Sequence, residues 1–272
     1  MGLVRFAVAN LLEQAGVTVT VTDAASGFPK EHLFDRDLAF PWTALNATGD
    51  KQIQADQGAS GTFGVTRALI TGHNLVGLTC FLEYSDDAVA WSGYDGGAGS
   101  FVAAAGVIEL PIAGHGPGKP GGVPEADQYP VEAVGLVARY WRLRIISPSS
   151  APEVGELFLT REYELERNWR YGAPWSKQPN ITVHRSPSGA AFKAKRGSTQ
   201  RTLDIELSRV PTWFKVVFER REAELSDGLK PFWYWDLDDD ATRYWMELTR
   251  PMQAVLSSHD SWALRISLME AN

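Results

Sequence analysis

The side chains that could do chemistry are few and scattered. Five histidines, His32, His73, His115, His184 and His259, fall into no HExxH or comparable metal-ligand spacing. No Gly-x-Ser-x-Gly elbow, phosphate-binding loop or dinucleotide fingerprint in its βαβ context occurs. The single cysteine, Cys80, sits in an apolar run and reads as a small core residue. Alone, it excludes an intrachain disulfide and a cysteine zinc cluster. Asp236, Asp238, Asp240 and Glu247 occupy positions 1, 3, 5 and 12 of a calcium loop. Ala241 stands where that loop needs glycine for its sharp turn, and the flanks read as strands, so the run is taken as an acidic hairpin tip. His73-Asn74 reads as an Asx-type turn beside a partly buried imidazole. The expectation is a non-enzymatic protein with no catalytic residue, no cofactor and no metal site.

What the sequence does concentrate is aromatic surface. Ten tryptophans occur in 272 residues, with 44% apolar and 22% charged side chains. In Lys230-Pro231-Phe232-Trp233-Tyr234-Trp235-Asp236, strand alternation places Phe232 and Tyr234 on one face and Trp233 and Trp235 on the other. Trp245 follows on the return strand. Both faces must then be covered, by the domain's own core or by a second subunit; these five residues are the candidate assembly interface. Lys193-Ala194-Lys195-Arg196-Gly197-Ser198 is basic but lacks interleaved aromatics, and the net charge is −7. It reads as a solvated hairpin tip or a contact with an acidic neighbour, not a nucleic-acid site.

The elements that must position these residues are strands. Period-2 alternation marks Val17-Thr18-Val19-Thr20-Val21-Thr22, Cys80-Phe81-Leu82-Glu83-Tyr84 and Tyr140-Trp141-Arg142-Leu143-Arg144-Ile145. It recurs in Thr202-Leu203-Asp204-Ile205-Glu206-Leu207 and in Trp262 to Leu268. The best helix candidate, short, runs from Pro211 to Leu225, opened by its proline, though the β-branched pair Val216-Val217 leaves a strand open. Gly93 to Gly99 is too rich in glycine for a strand interior. Gly114 to Pro130, with five glycines and four prolines, is a long excursion. No apolar run is long enough for a transmembrane helix, so no membrane insertion is expected, and the N-terminus lacks the pattern of a signal peptide.

Composition shifts near the charged run Arg161 to Arg167. Residues 1–165 hold 10 Lys+Arg and 19 Asp+Glu; residues 166–272 hold 16 and 14. Three tryptophans fall in the first part and seven in the second. The expectation is an all-β chain of two domains, 1–165 and 166–272.

Two resemblances refine this. Leu33-Phe34-Asp35-Arg36-Asp37, Pro41-Trp42, Ile53 to Gly58, Val65 to Ile70, Gly72-His73-Asn74, Leu82 to Asp87 with Trp91, Arg139 to Leu143 and Gly155 to Leu159 occur in an order that resembles the discoidin-like (galactose-binding-like) jelly-roll β-sandwich. That family implies binding of sugars, lipids or proteins at loop tips. Trp42, Trp91 and Tyr94 become the candidate ligand-loop residues, and Asp35 and Asp37 mark either a cation site of some members or an Asx-type turn. About fifty residues between Trp91 and Arg139 depart from the family's modest linker. The second part, with its Lys-Pro-Phe strand, acidic turn, return strand and closing Leu-Met-Glu strand, resembles the small tail-tube and distal-tail β-sandwiches of long-tailed bacteriophages. Together they imply a structural protein of a phage tail or tail tip, resident in the virion and assembled in the host cytoplasm. Its partners would be other tail proteins, a homo-oligomeric ring and a host-surface glycan. The alternative is a stand-alone carbohydrate-binding module or lectin.

Overall fold

The computed structural model of the chain describes residues 5–61, 63–114, 135–164, 175–185, 191–212, 215–216, 219, 230–235, 243–258 and 261–271. The protein is all-β. Chain contacts divide it into two units: Ala9–Glu164, and Met1–Val8 together with Leu165–Asn272. The first strand, β1 (Arg5–Ala7), therefore groups with the C-terminal part, not with the residues that follow it. The expected boundary at 165 had placed it in the first domain.

The unit Ala9–Glu164 is the jelly-roll sandwich that the discoidin resemblance implies. Its strands are β2 (Thr18–Val21), β3 (Trp42–Thr43), β4 (Lys51–Asp56), β5 (Arg67–Thr71), β6 (Thr79–Ser85), β7 (Ser92–Gly93), β8 (Ser100–Val102), β9 (Ile108–Pro111), β10 (Tyr140–Ile145), β11 (Glu153–Val154) and β12 (Glu156–Thr160); β13 (Tyr163–Glu164), at its end, joins none of the sandwich sheets. The larger sheet runs β2-β4-β10-β6-β7, with β8 also on β6. The smaller runs β12-β5-β9, and β11 pairs β3. Alternation does the sorting: in β10, Trp141, Leu143 and Ile145 are buried, while Tyr140, Arg142 and Arg144 face outward. Trp141, Leu143, Ile53, Leu82 and Cys80 from the larger sheet meet Ala68, Ile70, Leu157 and Leu159 from the smaller in one core.

The charged run expected as a connection is partly structural. Glu162 is fully buried and pairs with Arg67 at 2.6 Å, and its backbone N–H donates to Thr66 Oγ1. Gly93 to Gly99 is a loop, as its glycines imply, except that Gly93 ends β7. Asp95 Oδ1 accepts the N–H groups of Gly97 and Gly99, and Gly99 adopts φ +71 beside Leu82 O, where no Cβ fits. Of the excursion 114–130, all but Gly114 lies outside the described residues.

The other unit is a curled antiparallel sheet. Its order is β1, β16 (Phe232–Trp235), β17 (Arg243–Leu248), β19 (Ser261–Glu270), β15 (Ala191–Pro211), β14 (Trp175–Arg185), with β18 (Gln253–Ser258) also on β19. One face gathers Phe6, Leu203, Ile205, Leu207, Phe232, Tyr234, Leu264, Ile266 and Leu268. Thr212, Lys215, Val216 and Glu219 are helical, within the span expected for the helix. Lys215 pairs with Glu219 one turn on and lies over the Trp262 ring. The basic run 193–198 is not a hairpin tip: it lies inside β15, where Lys193 is opposite Val183 and Lys195 opposite Ile181. Lysine and alanine alternate there with the period of a strand. The acidic tip 236–240 is outside the described residues.

Candidate functional site

The register fixes two ends of the sandwich. Ile145 is opposite both Lys51 and Cys80, Thr71 opposite Glu156, Thr79 opposite Val102, and Ile70 opposite Ile108. The loops 22–50, 72–78, 103–107 and 146–155 therefore all emerge at one end, opposite the end where β12 finishes.

Buried polar clips hold these loops. Lys51, almost fully buried, donates to Asp23 Oδ2 at 2.6 Å and to Asn46 Oδ1 at 3.1 Å. Asp23 also accepts from Leu45 N, and its backbone carbonyl accepts from the Trp42 indole. Burial opposes ionisation of Asp23, but the hydrogen bonds from Lys51 and Leu45 outweigh it and hold the carboxyl below its usual range. Asn74 donates to Ala151 O and accepts from Glu153 N, tying two loops together. Gly72, at φ +62, lies where a Cβ would be 3.1 Å from Gly155 Cα. These residues let the backbones approach and leave other side chains free to face outward.

Those side chains are apolar to an unusual degree. Phe40 is 56% exposed, Leu45 63%, Val76 58% and Phe28 39%, and Val102, the last residue of β8 at the same end, is 67% exposed. Phe40 lies 6.1 Å, centroid to centroid, from the His32 ring, whose Nδ1 is 3.4 Å from Pro41 O. Asp35 and Asp37 each accept the N–H two residues on, from Asp37 and Ala39. They are the Asx-type turns that shape this loop, and no group of three metal-binding side chains occurs among the described residues. His73 accepts from Leu75 N, and its pKa is lowered by burial; the expected Asx-type turn does not form, because the Asn74 side chain bonds Ala151 and Glu153 instead.

The three candidate ligand-loop residues are not brought together. Trp42 is fully buried, its indole closing the core beneath the loops, and presents no surface to a ligand. Tyr94 is half-buried against Phe101. Burial and the neighbouring Asp95 raise its pKa. Trp91 lies on the outer face of the larger sheet, with the Arg142 guanidinium 3.7 Å from its ring centroid. The Ser85-Asp86-Asp87 turn before it is built as expected, Asp87 Oδ1 accepting from Val89 N and Ala90 N.

Trp91 is one member of a strip that the sequence did not reveal. Arg142 Nε donates to Glu83 Oε2 at 2.7 Å, Arg144 reaches the other oxygen at 3.4 Å, and Arg144 lies over Phe81 at 4.5 Å. Across β10, Gln54 is opposite Arg142 and Gln52 opposite Arg144. Only Trp91 carried a signal in the sequence, through its place after a turn.

In the other unit, none of the five candidate interface residues presents an exposed ring. Phe232 and Tyr234 enter the core beside Phe6. The Trp233 and Trp245 rings meet at a tilt, 4.8 Å between centroids, on the opposite face, and Arg5 lies over Trp235. All five are buried. Among the described residues here, the exposed large apolar side chains are Val255 and Leu256 on β18. No described helix is long and apolar enough to cross a membrane.

No family model matches the chain, and no curated protein sequence matches it. Solved structures do. A GH29 fucosidase of Ruminococcus gnavus in complex with fucose aligns at 12% identity and TM-score 0.41, over 58% of this chain and 27% of that one. Chitosan-binding module 1 from a chitosanase/glucanase of Paenibacillus sp. IK-5 aligns at 14% identity and TM-score 0.37, over 53% and 93%. The lectin domain of lectinolysin complexed with Lewis B antigen aligns at 13% identity and TM-score 0.36, over 54% and 93%. This chain thus spans about a quarter of the fucosidase it matches.

Proposed function

We propose that residues 9–164 form a carbohydrate-binding module that takes its ligand at the loop end, with Phe40 and His32 as the platform. The observation that carries this is the Phe40 ring, more than half exposed on a loop whose neighbours are locked by buried polar groups. A flat apolar ring packs against the C–H face of a pyranose, and adjacent imidazole and amide groups meet its hydroxyls. Rigid loops on a rigid sandwich lower the ordering cost of binding. The reading is binding without turnover. Nothing observed favours a place in a phage tail over this one.

The test is binding of the whole chain to immobilised saccharides, beginning with fucose, Lewis B antigen and chitosan oligomers, the sugars named with the solved structures above. Retention that is lost in Phe40→Ala, with unchanged thermal stability, supports the reading. Retention indifferent to Phe40→Ala, or none across a broad glycan panel, removes it.

A further inference from the structure

The outer strip of the larger sheet holds an arginine that its surroundings do not fully use. Arg142 is satisfied: it pairs with Glu83 at 2.7 Å and lies against Trp91. Glu83, 7% exposed, is thereby largely committed to Arg142. Arg144 reaches Glu83 through one Nη at 3.4 Å; its Nε is buried without a hydrogen-bond partner among the described residues, so only the terminal Nη groups of the partly exposed side chain can face a ligand. Two guanidiniums thus share one carboxylate, leaving one positive charge in excess on this face. Phe81 supports the Arg144 plane from one side at 4.5 Å, so the fork is held in place.

An oriented guanidinium without a full partner is suited to a planar oxyanion, which it can grip through two N–H groups. The flanking groups narrow the class. Gln52 and Gln54, linked by a 2.8 Å hydrogen bond, sit opposite Arg144 and Arg142 and present amides suited to hydroxyls. Trp91 and Phe81 add apolar surface. We infer that this strip is a second saccharide subsite, selective for sugars that carry a carboxylate, with Arg144 as the residue that reads it. The inference rests on the carbohydrate-binding reading but uses different residues from the loop end.

The experiment titrates the full chain, by calorimetry, with an oligogalacturonate, a neutral oligosaccharide of matched length and acetate. The oligogalacturonate binds more tightly than either. Arg144→Gln weakens it about 10- to 100-fold, the usual worth of one charge-assisted contact. Arg144→Lys, which keeps the charge but not the fork, recovers only part. Arg139→Gln, which removes an equal charge from the Asp56 pair at the sheet's end, leaves binding unchanged. Equal affinity for the neutral oligomer, acetate binding as tightly as the oligomer, or indifference to Arg144→Gln overturns the inference. Neutral-sugar binding that depends on Phe40 but not on Arg144, with no preference for the uronate, overturns the inference alone. No binding of any saccharide overturns both readings.

Discussion

Lys51 Nζ donates to Asp23 Oδ2 at 2.6 Å beneath the loop end, joining the start of β4 to a residue two positions past β2. The ammonium is almost fully buried and the carboxylate partly exposed. Removing the acid alone strands a buried cation. Asp23→Ala is therefore expected to cost about 3 kcal/mol, and Lys51→Met distinctly less, because methionine fills the volume and removes the charge. Denaturant melts of the two variants check this order. Asp23 has a depressed folded pKa, so its contribution is full above the ordinary carboxylate range and fades as pH falls through the folded value.

Glu156 behaves in the opposite sense. It accepts from the Asn10 side chain and from Arg36 N in a fully buried setting, and burial drives its pKa well above normal. The folded chain then holds a proton that the unfolded chain releases near the ordinary glutamate value. Stability contributed by this group is complete below that value and declines as pH rises toward the folded one. Glu156→Gln, which mimics the protonated acid, is expected to flatten the fall in stability measured as pH rises above the ordinary glutamate range.

Gly99 lies at φ +71 against Leu82 O, and its backbone also abuts Gly93. Alanine there meets both a disfavoured dihedral and a backbone oxygen. Gly99→Ala is expected to destabilise by about 1–3 kcal/mol. Gly106→Ala, at a positive φ with open space around it, costs less in the same thermal melt.

Cys80 is buried in β6, and burial pushes its thiol up to about 11. The thiolate is the reactive form. A thiol reagent at pH 8 is expected to label the folded chain far more slowly than the chain in denaturant, and rapid labelling of folded protein would contradict this placement.

The strands were legible because alternation is a local signal. Tyr140–Ile145 matches the expected segment residue for residue, and Thr18–Val21 lies one residue inside each end of it. The Phe232–Trp235 alternation also held, since Phe6 approaches Phe232 and Tyr234 while Trp245 approaches Trp233. What escaped were relationships with no local period. Arg5–Ala7 pairs with Trp233–Trp235 across more than 220 residues, and no pattern within the first eight residues announces it. The loop end escaped for another reason. Phe40 and Phe158 are the same residue type in sequence, yet one is exposed and the other buried under Arg36; only the fold distinguishes them. Trp42 shows the same ambiguity: a loop-adjacent tryptophan can face a ligand or plug the end of the sandwich, and here it turns inward.

The proposed sugar site at the loop end rests on Phe40. Calorimetric titration of one retained saccharide into the wild-type chain and into Phe40→Ala tests it most directly, with thermal melts confirming that both are folded. The account predicts saturable binding to the wild type and a loss of about tenfold or more in the variant. Equal affinity of the two proteins for that sugar would contradict it.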